Sequence, residues 1–341
     1  GGLVWGILGD KRGRVSVLFG SIFMYSVANI LNAFVTTVDQ YGILRFVAGV
    51  GLAGELGAAI TLVSEVMTKE TRGYGTTVVA ATGISGAVLA ALIGENYSWS
   101  TAYIVGGVLG LALLVMRVSI FESGMYQTVK HHQVSRGDFS QLFTNGDRAV
   151  KYISCILIGV PIWYVIGILV TFSPEIAKEL QVTGPVSAGK GIMYTYVGLI
   201  FGDLASGLLS QFMRSRKKVV AIFLLITAGF IGVYFFARGL SPEMFYALCI
   251  ALGFGAGYWA VFVTIASEQF GTNLRATVTT TTPNFVRGAV VPLTLAFQAL
   301  AGRMSLTQSG MIVGAVAMAL AFAALMRLQE TFGKDLDYIE K

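Results

Sequence analysis

The chain has 341 residues, of which 55% are hydrophobic and only 12% charged, and its formal net charge is +6. Soluble domains carry about 25% charged residues and could not hide so much apolar surface, so the composition indicates a lipid environment. The two cysteines lie in apolar runs and the two histidines are adjacent, so we expect no disulfide framework, no metal site and no cofactor.

Ten stretches are long and apolar enough to cross a bilayer as helices, which takes about 20 residues each. These predicted spans cover residues 15–38, 41–66, 76–96, 100–121, 151–172, 191–213, 219–238, 243–267, 275–302 and 306–328. Residues 1–9 have the composition of the end of one more span. The runs are too long and too uniformly apolar for alternating membrane β-strands, so we predict an all-α polytopic membrane protein.

The distribution of Lys and Arg predicts the orientation of the spans. If the stretch GDKRGR at residues 9–14 faces the cytoplasm, 18 of the 24 Lys and Arg residues fall on the cytoplasmic side and four on the opposite side. The loop at 122–150, which separates four full spans from six, and the tail at 331–341 are then cytoplasmic. The positive charge therefore reflects topology and indicates no nucleic-acid binding.

An internal repeat divides the chain into two halves. Residues 51–73 and 254–276 align at a constant offset of 203, which pairs Gly54 with Gly257, Ser64 with Ser267, Glu65 with Glu268 and Arg72 with Arg275. Both segments run in the same direction on the same side, so we predict parallel halves at 1–121 and 151–330. The offset also predicts that about 50 residues, one helix and the front of the next, precede this sequence.

The stretch GILGDKRGRV at residues 6–15 resembles the signature that the major facilitator superfamily has between its second and third helices, Gly-x-Leu-x-Asp-Arg-x-Gly-Arg-Lys. The matching residues are Gly6, Leu8, Asp10, Gly13 and Arg14, while Lys11 replaces the first arginine and Val15 the final lysine. The resemblance extends over essentially the whole chain. It implies a twelve-helix transporter whose first helix and part of the second are absent here.

Three further stretches bear on the branch of that family. Arg45, Gly49 and Gly51 resemble the fourth-helix signature. The sequence from Trp99 to Glu122 and Ser123 resembles the sixth-helix ending of sugar porters and metabolite–proton symporters, with Gly124 in place of a proline. The fifth-helix stretch TGISGAV lacks the Gly-Pro motif of the family's antiporters, which disfavours a drug antiporter.

Four ionisable residues inside the predicted spans are candidates for a substrate and proton cavity, because charges within a bilayer are costly. Glu55, Asp203 and Arg287 lie near the midplane by helical rise, and Arg45 lies about one turn from the outer end. Glu55 is the preferred proton site, because a desolvated carboxyl binds protons more readily. A structural glutamate that is hydrogen-bonded across helices is the alternative.

Arg287 is the candidate for binding an anion, because its guanidinium fork grips a carboxylate at two points. The alternative for Arg287 is a fixed ion pair between the halves. The alternative for Arg45 is a side chain that snorkels to the outer interface. The run before Arg287 adds Asn284 and Pro283, which is expected to loosen the helix at the cavity. Tyr258 and Trp259 would either stack on a ring-bearing substrate or belong to the core.

A second set of residues is predicted to form a cytoplasmic gate. Each acid–base pair of the repeat has a seven-residue spacing at a cytoplasmic helix end, and such charges pair across the halves when that side is shut. The predicted gate residues are Gly6, Asp10, Lys11, Gly13, Arg14, Glu65, Arg72, Glu268 and Arg275.

The sequence therefore predicts secondary active transport of a small polar or anionic organic solute by alternating access, with proton symport. We expect a monomer in a bacterial inner membrane whose partners are the solute, protons and the lipid bilayer. An exporter of a metabolite or siderophore remains open, because direction depends on gradients. A membrane enzyme or receptor is disfavoured, because the sequence has no histidine in a span and no HExxH or GxSxG motif.

Overall fold

The computed structural model describes residues 1–116 and 137–340, and within those ranges every regular element is helical. The helices are α1 (Gly2–Arg12), α2 (Arg14–Asn32), α3 (Val38–Leu52), α4 (Glu55–Val66), α5 (Arg72–Asn96), α6 (Trp99–Met116), α7 (Gly146–Leu157), α8 (Val160–Tyr164), α9 (Ser173–Glu179), α10 (Ala188–Phe212), α11 (Arg216–Phe236), α12 (Pro242–Ala256), α13 (Trp259–Gln269), α14 (Arg275–Gly288), α15 (Val290–Ala301) and α16 (Leu306–Arg327). A short 3₁₀ turn (Phe139–Leu142) precedes α7, and a π-helical segment (Val165–Val170) follows α8.

The ten predicted spans are confirmed, because ten helical stretches of the described residues are long and apolar enough to cross a membrane. The stretch at 117–136 lies outside the described residues. It includes Glu122, Ser123 and Gly124, on which the resemblance to the symporters partly rests, and most of the loop at 122–150.

Helices of the two predicted halves pack directly against each other. Helix α1 lies along α14, α4 also contacts α14, and α5 contacts both α10 and α13. The largest apolar core lies among α7–α16, and a smaller cluster around Val17 and Leu18 joins α2 to α4. The interface between the halves therefore runs along the helices that carry the predicted site residues.

Four spans of the described residues are interrupted helices rather than continuous ones, and in one of them α7 ends at Leu157 and α8 begins at Val160. Helix α3 ends at Leu52 and α4 begins at Glu55, while α12 ends at Ala256 and α13 begins at Trp259. These two breaks fall at the same place in the repeat, since an offset of 203 relates Gly54 to Gly257. An interruption of two residues does not change the mean hydropathy of a span, so both spans were predicted as continuous helices.

The break after α14 does not lie at Pro283, where the sequence predicts a loosened helix. Pro283 lies inside α14, and the chain interrupts the helix at Ala289, between α14 and α15. A proline removes one backbone donor without ending the helix when neighbouring side chains compensate. The break places Arg287 in the last turn of α14, two residues before the interruption.

Candidate functional site

The predicted site residues fall into two groups in space. One group, which we call the charge cluster, closes the predicted cytoplasmic end of the bundle and comprises Asp10, Arg14, Glu65, Arg72, Arg216, Glu268 and Arg275. The other lies around the helix breaks in the middle of the bundle, where Arg287 is the central residue.

Glu65 joins the two halves at the charge cluster. Its Oε1 accepts hydrogen bonds from Arg14 at 2.7 Å and from Arg275 at 3.1 Å, and all three side chains are fully buried. A buried carboxylate shared by two guanidinium groups is stable only while both partners stay in place. Glu65 therefore ties α4 and α2 to the start of α14.

Glu268 makes the related contacts from the second half. It lies 3.9 Å from Arg72 and 3.4 Å from Arg216. The two repeat-related acids thus exchange partners, since Glu65 pairs with Arg275 and Glu268 with Arg72. Arg216 was not predicted as a gate residue, although it stands at an offset of 202 from Arg14 and is its equivalent in the second half.

Asp10 caps a helix of the opposite half. Its carboxylate accepts hydrogen bonds from the backbone N–H groups of Ala276 at 3.1 Å and Thr277 at 2.8 Å, and from the Thr277 hydroxyl at 2.7 Å. These donors belong to the first turn of α14, whose dipole favours a negative charge. Gln211 is the repeat-related residue of the second half. When its amide oxygen is oriented toward α5, that oxygen accepts hydrogen bonds from the backbone N–H groups of Gly73 and Tyr74.

Two glycines of the signature allow this arrangement. Gly13 links α1 to α2 with a φ of 105°, a conformation that a residue with a Cβ rarely adopts. At Gly6 a Cβ would come within 2.9 Å of the Thr277 Cα, so glycine lets α1 lie against α14. Lys11 is exposed at the end of α1.

Residues 328–340 lie across the charge cluster, an arrangement that was not predicted from the sequence. The guanidinium of Arg275 donates to the Leu336 carbonyl, and that of Arg72 donates to the Lys334 carbonyl at 3.2 Å. The Thr272 N–H donates to the carbonyl of Tyr338 at 2.9 Å. Burial raises the pKa of the Tyr338 phenol, which donates to the Gln269 carbonyl at 2.9 Å. The tail therefore satisfies donors of both halves.

Arg287 is held against an aromatic ring in the middle of the bundle. Its guanidinium carbon lies 5.2 Å from the centroid of the Trp259 ring, and Tyr196 of α10 lies close enough to interact with it electrostatically. Residues 1–116 and 137–340 contain no carboxylate in an ion pair with Arg287, and the side chain is half-buried. The arginine thus keeps its charge without a fixed acidic partner.

Asn284 connects Arg287 to the break in the first half. Its amide nitrogen donates to the carbonyl of Ala53 at 2.9 Å, and its amide oxygen lies 3.5 Å from an Arg287 nitrogen. Ala53 lies in the gap between α3 and α4, and Glu55 is the first residue of α4. Asn284 also borders a cavity of about 500 Å³ that Thr281, Phe285 and residues 1–3 line.

Asp203 caps the break in the second half. It is fully buried in α10, and its Oδ1 accepts a hydrogen bond from the Ala260 N–H at 2.7 Å, in the first turn of α13. Its Oδ2 has no hydrogen-bond partner among the described residues. A Cβ on Gly257 would come within 2.5 Å of the Gly202 Cα, so the absence of side chains at these two glycines brings α10 to the break.

The two remaining cavity candidates lie elsewhere. Tyr258 is fully buried, and its hydroxyl donates to the Ile158 carbonyl at 2.9 Å, so it packs in the core. Arg45 is exposed, with its guanidinium 5.9 Å from the Tyr103 ring centroid. Neither contacts the Arg287 group, whereas Trp259 lies beside Arg287.

The comparisons with known proteins agree with this architecture. A family model described as Major Facilitator Superfamily matches residues 1–290. The 3-(3-hydroxy-phenyl)propionate transporter of Escherichia coli is 28% identical over 343 residues, which cover 96% of this chain and 83% of the relative. A niacin transporter of Acinetobacter baylyi is 25% identical over 312 residues, or 81% of this chain and 70% of the relative.

A solved structure has the same fold. The crystal structure of the transporter FucP in its outward conformation superposes with a TM-score of 0.75 at 17% identity, over 96% of this chain and 86% of the other. The ten apolar spans, the charge cluster at one end and the family match over residues 1–290 lead to one conclusion. The chain belongs to the major facilitator superfamily and is an integral, multi-pass membrane protein.

Proposed function

We propose that this protein is a proton-coupled secondary transporter of small aromatic or heteroaromatic carboxylates. The observation that carries the proposal is Arg287, a guanidinium deep in the bundle that no carboxylate of the described residues neutralises. It lies twelve residues after Arg275, about 18 Å along the helix from the charge cluster. A carboxylate is the solute group that its fork binds best.

The surroundings of Arg287 suit a flat ring. Trp259 brings aromatic surface close to the guanidinium, and Trp163 packs edge-on against Trp259 with centroids 6.5 Å apart. Aromatic side chains favour offset or edge-to-face contact with a ring-bearing solute. The names of the two relatives give an aromatic acid and a pyridine carboxylic acid as their solutes, which supports this class.

The charge cluster supports a gate at the predicted cytoplasmic side. Because Asp10, Glu65 and Glu268 bind residues of the opposite half, the described conformation is closed at that end. A solute would then reach Arg287 from the other side, and the cluster would separate when the halves rock. The bacterial sources of both relatives support a bacterial inner membrane, and the distribution of Lys and Arg supports a cytoplasmic charge cluster and tail.

The substrate class is tested with the purified protein in proteoliposomes. We expect exchange of radiolabelled benzoate to be inhibited by nicotinate and 3-(3-hydroxyphenyl)propionate, and at least about tenfold less by benzamide and nicotinamide, which lack the charge. The amides have nearly the same shape as the acids, so they isolate the contribution of the carboxylate. Equal inhibition by amides and acids, or transport restricted to neutral sugars, would contradict the proposal.

Proton coupling is tested at Glu55. Because this carboxyl begins α4 at the break beside Asn284, we expect Glu55→Gln to abolish accumulation of benzoate driven by a pH gradient. Exchange of benzoate at equal concentrations should survive, since exchange needs no net proton movement. Accumulation at the wild-type level at every pH would remove Glu55 from the proton pathway.

A further inference from the structure

We propose that Asp203 binds a proton together with the anionic solute, and that it acts through the helix break at Gly257 and Tyr258. The inference rests on the proposed function and extends it, because it assigns a second carboxyl that links proton binding to the affinity for the anion. Asp203 lies in the opposite half from Glu55.

Asp203 is connected to the Arg287 site through the first turn of α13. Its Oδ1 holds the N–H of Ala260, and the preceding residue, Trp259, supports the Arg287 guanidinium at 5.2 Å. The carboxylate, the first turn of α13, the indole and the guanidinium therefore form one continuous set of contacts. A change at Asp203 is transmitted to Trp259 by the single helical turn that both groups share.

The carboxyl group has capacity for a proton. Oδ2 is buried and unpartnered among the described residues, whereas Oδ1 takes the hydrogen bond from Ala260 of α13. An ionised carboxylate in this position leaves half of its acceptors unsatisfied, which is unfavourable in a low-dielectric interior. The protonated group can keep the Ala260 bond at Oδ1 and carry the proton on Oδ2.

No side chain of the described residues donates a hydrogen bond to the Asp203 carboxyl or forms an ion pair with it. The charged residues of α10 and of the helices packed on it occur near helix ends or in the short α9, and they are Arg72, Glu95, Glu175, Lys178, Glu179, Lys190, Arg216, Lys217, Lys218, Glu243 and Glu268. The titratable groups along those helices are Tyr74, Tyr194, Tyr196, Tyr234, Tyr246, Cys249 and Tyr258. Phenols and thiols are ordinarily neutral at pH 7, so these groups add no charge near Asp203. Arg287 is the charged group that is connected to Asp203 through Trp259 and Ala260.

Electrostatics then couples the proton to the anion. Before loading, the site holds one positive guanidinium and one negative carboxylate. An anion bound to Arg287 neutralises the guanidinium, so a proton on Asp203 keeps the loaded site electrically balanced in the low-dielectric interior. By thermodynamic reciprocity the proton raises the affinity for the anion by the same factor, and the loaded site carries no net charge.

The test is the pH dependence of benzoate binding to the purified protein, followed by tryptophan fluorescence. Between about pH 6 and pH 8.5 benzoate stays an anion, and we expect the wild-type Kd to rise by about tenfold. In Asp203→Asn the Kd should vary by less than about twofold over this range. Asp203→Glu keeps a titratable group and should retain the dependence, which separates a proton-binding role from a merely structural one.

One further variant completes the experiment. Asp39→Asn removes an exposed carboxyl in the first turn of α3 and should behave as wild type. A dependence that persists in Asp203→Asn would overturn the proposal. Failure of the wild-type protein to bind benzoate at any pH would instead refute the proposed function on which it rests.

Discussion

Replacing Arg287 with glutamine is expected to weaken benzoate binding by about a hundredfold or more, since a buried charge-assisted contact is worth a few kcal/mol. The structure offers no second cation at this place among the described residues, because Asn284, Trp259 and Tyr196 are the groups around the guanidinium. Arg287→Lys should lose about tenfold or more, because an ammonium makes one contact where the guanidinium fork makes two. Equilibrium binding, measured by fluorescence or calorimetry, gives both values.

Two controls distinguish a lost contact from a lost fold. Arg303→Gln removes an exposed arginine after α15 and should bind benzoate as wild type does. The weak binding of benzamide should be the same in Arg287→Gln and in wild type, because the neutral amide forms no ion pair with the guanidinium. Wild-type affinity for benzoate in Arg287→Gln would mean that another group binds the carboxylate.

Glu65→Gln is expected to open the predicted cytoplasmic end. The substitution leaves the guanidinium groups of Arg14 and Arg275 buried without their shared carboxylate, which costs about 3–5 kcal/mol in the closed state. The groups become hydrated when this end opens, so the equilibrium should shift toward the open state by on the order of a hundredfold or more. Transport should slow, because the closed conformation is revisited in every cycle.

Distances between spin labels measure this shift directly. Lys69 and Lys218 are exposed residues at the charge-cluster end of the two halves, and both native cysteines are buried. The distribution between labels at these positions should move to longer distances in Glu65→Gln. Glu70→Gln changes an exposed acid on the same loop and serves as the matched control. An unchanged distribution in Glu65→Gln would show that the Arg14–Glu65–Arg275 contact does not hold this end closed.

Much of the charge cluster was predictable because the repeat places equivalent residues at equivalent heights. Glu65, Arg72, Glu268 and Arg275 were named from their spacing, and the structure brings all four together. Their exchange of partners between the halves follows from the symmetry of the repeat, but the number of cations around each acid does not. Arg216 was missed because its offset of 202 from Arg14 differs from the offset of 203 that relates the aligned segments.

The Arg287 site was predictable only in part. Depth along a helix is fixed by the rise per residue, so the midplane position of Arg287 could be calculated from the sequence. Adjacent residues on a helix face different directions, and hydropathy cannot tell which one faces a neighbour. Trp259 therefore supports Arg287, while Tyr258 points into the core toward the Ile158 carbonyl.

The sequence by itself determined the membrane class, the ten spans and the parallel repeat, because the thickness of a bilayer and the cost of buried charge act on local stretches of chain. Tertiary structure decided where those spans break and what fills the breaks. Backbone groups freed inside a membrane must find partners, and Asp203 and Asn284 supply them from other helices. Such partners lie far away in sequence, at Ala260 and Ala53, so only the packed helices reveal them.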